Sequence, residues 1–126
     1  MLKIELMLKK PKSKRFVITC TAYDKSGRII CIENNSYTDS CRLMRFFAKR
    51  IGDRSKNEDK KIFNHAEIKC IDKAMKSGKI VHMLKVERIE NGLYENAKPC
   101  YICQFAIKYF RIKKVIYSTS EGFKEL

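Results

Sequence analysis

Proline and glycine are scarce in this chain, two and five residues of 126. That scarcity, with no repeat, low-complexity tract or linker, excludes fibrous and disordered architectures and suits one domain over residues 1–126. No apolar run approaches a membrane span, and Met1 to Lys14 is too interrupted by lysine to form a signal-peptide core. The expectation is therefore a cytoplasmic protein with no membrane partner. In that compartment the six cysteines are expected as thiols or metal ligands, not disulfides. Acidic residues are also scarce, 14 against 28 Lys and Arg, for a formal charge of +14. Such an excess admits a nucleic-acid partner. A solvated lysine coat is the other reading, since Lys outnumbers Arg and the chain is rich in Ile and Asn.

What is present alternates in period. Phe16 to Tyr23 reads as a strand, Asp24-Lys25-Ser26-Gly27 as a turn, and Arg28 to Glu33 as the return strand of a hairpin. Leu43, Met44, Phe47, Ala48 and Ile51 make one helical face, with Arg42, Arg45 and Lys49 off it. Gly52 to Lys61 reads as a polar loop. A helix is predicted over His65 to Lys76, with Ile68, Ile71, Ala74 and Met75 inward and Gly78 as its stop. Ile80 to Ile89 follows as a strand, Asn91-Gly92 as a turn or loop, and Pro99 to Phe110 as a helix with Pro in its first turn. Lys113 to Ser118 closes as a strand. Helices alternating with strands predict an α/β fold, a three-layer α/β/α sandwich with a mixed sheet and an N-terminal hairpin. Met1 to Lys14 fits a short helix or a frayed arm, limited by Pro11. Cys20, Cys31 and Cys70 are expected as small core residues; Cys41 has no assigned role.

His65-Ala66-Glu67 and Pro99-Cys100-Tyr101-Ile102-Cys103 carry the chemistry. One imidazole and two thiolates with the fourth corner open is the donor set of a catalytic zinc site, not a closed structural one. Cys100 and Cys103 are expected in the first turn of a helix, where free amides and the positive dipole end favour thiolates. His65 would begin the other helix. Glu67, two positions on, points away from the ligand direction and is free to face a metal-activated water as proton carrier. A zinc ribbon would need a fourth protein ligand, and neither His82 nor Cys70 has the spacing.

With these residues in view, the chain resembles the cytidine deaminase-like superfamily of zinc hydrolases, over about Phe16 to Thr119 in the same order of elements. The stretch from Ala97 through Thr119 looks most like small deoxycytidylate deaminase-like proteins of phages and other viruses. The resemblance implies a Zn2+ cofactor and attack of activated water on the amine-bearing carbon of cytosine, or the equivalent carbon of adenine. It also implies that Asn35 contacts substrate, with Asn34 the one-residue alternative, and that the Ala66 amide contacts the base. Three departures stand out. Lys69 replaces an Asn common two residues after the catalytic Glu. The stretch from Ser36 to Asn64 is long and basic. The terminal strand and helix of larger members are missing or minimal.

Two substrates follow from this. One is a free cytosine nucleoside or nucleotide, its phosphate met by Arg or Lys from the insertion. The other is single-stranded DNA or RNA, which needs an electropositive channel with stacking rings; Tyr37, Phe46, Phe47 and Phe63 are the candidates. A zinc-retaining, non-catalytic binding module is a third class. Homo-oligomers are common in the superfamily, but no interface is legible here.

Overall fold

The computed structural model describes residues 16–51 and 64–126. The expectations for Met1 to Lys14, the loop Gly52 to Lys61, the side chain of Ile51, and Phe63 lie outside them. Strands β1 (Ile18–Tyr23) and β2 (Ile29–Asn34) form the predicted antiparallel hairpin. Asp24 closes its turn by accepting the Ser26 and Arg28 amides through Oδ1 at 2.8 and 2.9 Å. Helix α1 (Arg42–Ile51) and helix α2 (Ala66–Lys76) follow. Then come β3 (Met83–Glu90), β4 (Leu93–Glu95), helix α3 (Tyr101–Tyr109), β5 (Lys114–Thr119) and β6 (Gly122–Glu125).

The six strands make one mixed sheet in the order β2-β1-β3-β5-β6, with β4 on the outer half of β3. Only β3 and β5 run parallel, joined through α3; the other pairings are antiparallel. This is the expected α/β architecture with a mixed sheet. Pairing register aligns Cys31, Ala22, Leu84 and Val115 in one row across four strands. Glu33, Cys20, Val86 and Tyr117 form the next row. Because side chains alternate between faces, both rows look the same way. Ile68, Cys70 and Ile71 of α2 and Cys103, Ala106 and Ile107 of α3 complete the core with them. The three helices touch one another and α2 lies on β1, β2 and β3, so they form one layer. Helical cover of the opposite face is not among the described residues.

Most boundaries follow the residue pattern, and the departures have local causes. Strand β3 begins at Met83, not Ile80: the ladder register with β1 starts at Met83 opposite Tyr23, with His82 N–H donating to Tyr23 O just ahead of it, and Ile80 is exposed. Met75 was expected inward but is half exposed. The α2 face that meets the sheet is carried instead by Glu67, Ile68, Cys70, Ile71 and Ala74. Helix α3 starts one residue after Cys100 and stops at Tyr109, where Arg111 takes a left-handed backbone (φ 56°). Asn91 and Gly92 both have positive φ, 53° and 78°, as a tight two-residue hairpin of the primed type requires. They fold β4 back on β3, a pairing the sequence pattern did not include. Likewise Gly122–Glu125 returns along β5 as a short, exposed strand beyond the expected last one.

On α1, Met44, Phe47 and Ala48 are buried as predicted. Phe47 packs edge-on against Phe105, Tyr109 and Phe110 at ring separations of 5.3–5.9 Å. Cys41 acquires a role: Met44 N–H donates to its sulfur at 3.4 Å, so a thiol covers the start of α1.

Candidate metal centre

Two helix starts converge here. His65 is the residue before α2 and Cys100 the residue before α3; both have extended backbones, and neither side chain bonds the free amides of its helix. Their side chains are therefore available to each other. His65 Nδ1 lies 3.3 Å from Cys103 Sγ and 3.4 Å from Cys100 Sγ. All three donor atoms fall within 4.8 Å of one another, the one such group among the described residues. Ordinary Zn–N and Zn–S bonds at tetrahedral angles separate N from S by about 3.6 Å. The three side chains thus fit zinc, and no fourth donor joins them among the described residues.

Long-range bonds set those starts in place. Asn64, buried just before His65, accepts the Cys41 amide through Oδ1 at 2.7 Å. Its amide donates to Asp39 O and its carbonyl accepts Ser36 N–H, at 2.8 and 2.9 Å. One residue so ties the exit of β2 and the approach to α1 to the start of α2. On the other side, Ala97 N–H donates to Ser118 O at 2.9 Å. Ser118, fully buried, gives its hydroxyl to Glu95 O at 2.8 Å and accepts Arg88 N–H at 3.0 Å. Gln104 Nε2 reaches back to Pro99 O at 2.7 Å. Neither Asn64 nor Ser118 was identified from the sequence. A polar residue directly before the metal-binding His was the available signal for the first.

The electrostatics suit thiolate ligation. A hydrogen bond from the Cys103 thiol, with His65 beside it, holds Cys100 at about 4, well below an ordinary thiol. Cys103 is pushed up, first by giving that hydrogen bond and then by burial. Burial would lower His65, but hydrogen bonding and charge from Cys100 outweigh it and the imidazole is raised. Glu67 is buried, and burial raises its carboxyl against the opposing pull of its own amide, His65 and the Cys103 thiol. His65, Cys100 and Cys103 all act on this carboxyl, so it stands within electrostatic reach of the ligand group.

The family model for the cytidine and deoxycytidylate deaminase zinc-binding region matches residues 1–119. The chain belongs to that family. It is a zinc-dependent deaminase by family, with His65, Cys100 and Cys103 placed where they could hold the zinc. No curated protein matches the chain.

The remaining predicted residues of the deaminase divide. Ala66 is buried at the first position of α2, where its amide is among those with no intrahelical acceptor. Asn35 leads through Ser36 to the Asn64 contact beside His65, at the same end of the sheet. Its side chain is fastened to β1, however: Oδ1 accepts Ile18 N–H at 2.8 Å and Nδ2 donates to Phe16 O at 3.0 Å. Asn34 accepts the Thr19 hydroxyl at 2.8 Å. Lys69 pairs with Glu33 at 3.5 Å. Cys70 joins Cys20 and Cys31, away from the metal ligands. No described helix is long and apolar enough to cross a membrane.

Proposed function

We propose that this deaminase hydrolyses the exocyclic amine of a free cytosine nucleoside or nucleotide, of the deoxycytidylate or cytidine class, releasing ammonia and leaving the uracil counterpart. The observation that carries the reading is the His65–Cys100–Cys103 triangle with the Glu67 carboxyl within electrostatic reach of it. His65, Cys100 and Cys103 would hold zinc, which when bound would supply Lewis-acid activation of a hydrolytic water. Glu67 is the proton carrier: it accepts the proton lost by that water, delivers it to the ring nitrogen, and a proton then leaves with ammonia. Its burial supports the role, because it raises the carboxyl and so favours uptake of a proton. The Ala66 amide donates to the base. One Nδ2 hydrogen of Asn35 remains beyond its bond to Phe16 and is assigned to substrate. Exposed Lys98 and Tyr101 flank exposed Cys100, which supports a mouth that admits a phosphate-bearing small molecule.

A polynucleotide substrate is the second reading, and one observation favours it. A groove of about 770 Å³ opens between the three helices, with Phe46, Met75 and Tyr109 exposed in it and Arg42, Arg45 and Lys76 around it. The Arg50 guanidinium lies 4.6 Å from the Phe46 ring centre. Such a mixture suits a single strand. Yet the groove lies toward the far end of α2, which at 11 residues is about 16 Å long, so a strand there would have to reach back to the metal.

The test offers zinc-loaded protein cytidine, deoxycytidine, their monophosphates, and single-stranded DNA and RNA at low and moderate salt, with products read by mass. Turnover of a monomer, little changed by salt, is expected. Turnover of polymer alone, falling steeply as salt rises, would replace this reading with the second.

A further inference from the structure

Away from the metal, three cysteines meet between α2 and the hairpin. Cys31 Sγ on β2 lies 3.6 Å from Cys70 Sγ on α2 and 3.5 Å from Cys70 O. The Cys70 thiol also donates to Cys20 O, at 3.0 Å. All three are free thiols. Cys20 and Cys70 are fully buried, whereas Cys31 is partly exposed. Sulfurs at van der Waals contact, one reachable from solvent and one beneath it, are the geometry of a dithiol that closes with little motion. The pair serves neither the metal nor the proposed reaction.

We propose that Cys31 and Cys70 form a peroxide-driven, reversible disulfide that staples the metal-binding helix α2 to the edge strand β2. Cys31 is the sulfur that a small peroxide reaches. Its sulfur attacks the O–O bond and becomes a sulfenic acid, with one water released. The Cys70 sulfur then displaces the sulfenic oxygen, which leaves as a second water. Two thiols and one hydrogen peroxide thus yield one disulfide and two waters; two sulfurs are oxidised and the peroxide is reduced. A low-molecular-weight thiol or dithiol reverses it. The chemistry of the two sulfurs fits this order. Hydrogen bonds from Cys20 and Cys31 hold Cys70 below an ordinary thiol, which favours it as the displacing sulfur. Burial and the charges around it push Cys31 up to about 12, so the first step is slow and needs sustained peroxide. Oxidation then leaves the ligand thiols Cys100 and Cys103 on the metal and changes only how firmly α2 is held.

The experiment treats zinc-loaded, full-length protein with hydrogen peroxide. Intact mass, a non-reducing peptide map, zinc content and the melting temperature are then measured. The expected result is a loss of two hydrogens, a cross-linked peptide joining Cys31 to Cys70, one retained zinc, and a melting temperature raised on the order of 10 °C, all reversed by dithiothreitol. Cys31→Ser, a partly exposed site, should lose the cross-link and the shift while keeping zinc. The map of the unmodified chain decides the matter even if that variant folds poorly. A Cys100–Cys103 disulfide with zinc released, a Cys20–Cys70 link, or no change in mass would each overturn the proposal.

Discussion

Replacing the Glu67 carboxyl by an amide separates proton transfer from metal binding. In Glu67→Gln the side chain keeps its length and shape and loses the capacity to carry a proton. Positioned acid–base groups contribute about 10²–10⁴-fold to rate, so kcat should fall by that factor, about 3–5 kcal/mol of barrier. The fold should not suffer. Glu67 is 5% exposed and its carboxyl is raised chiefly by burial, which means that the site disfavours the charge. A neutral amide there costs no more than the carboxylate it replaces. The assay is ammonia release from the best substrate, run beside zinc content and a melting curve on the same preparation. A kcat within tenfold of the unmodified enzyme, at one zinc per chain and an unchanged melting temperature, would refute the proton-carrier role. Equal loss of activity and zinc would make Glu67 a support of the metal site instead.

Two further outcomes follow from the same geometry. In Cys100→Ser one of the two sulfurs beside His65 is gone, so zinc content should drop from one toward zero and a chelator should no longer lower the melting temperature; metal analysis and paired melts check this, and full zinc occupancy would count against the ligand set. In Ser118→Ala, Arg88 N–H and Glu95 C=O lose a buried partner, at a cost of about 2 kcal/mol; a denaturant midpoint unchanged from the unmodified protein would sink that account.

The ligand set was legible because its chemistry is local. His65 and Glu67 are two residues apart, Cys100 and Cys103 three, and each pair sits at a helix start that sequence alone marks. The core faces of α1 and α2 were legible for the same reason, since a helical period needs no knowledge of the partner. What escaped is what depends on contacts distant in sequence. Asn64 acts through Cys41, Asp39 and Ser36, Ser118 through Arg88 and Glu95, and nothing in the spacing of these residues announces the meeting. The sulfur cluster is similar: Cys20 and Cys70 are buried core residues as expected, whereas Cys31 only packs against the core, and strand register alone brings it opposite Ala22 and thereby over α2. Met75 misled because it falls on the apolar stripe of α2 near its C-terminal end, where the helix meets the groove beside α1 and α3.

The placement of His65 and Cys100 as the residues just ahead of two uncapped helices has a consequence for how the molecule opens. Backbone N–H groups in the first turns of α2 and α3 lack intrahelical acceptors, so each end on its own is prone to fray. A shared ion held by both ends would make them one cooperative unit. Amide exchange at Glu67 and Ile68 should rise and fall together with exchange at Ile102 and Cys103, although the chain separates them by more than thirty residues. The residues that would hold the ion thus sit at two helix starts whose amides have no helical acceptor.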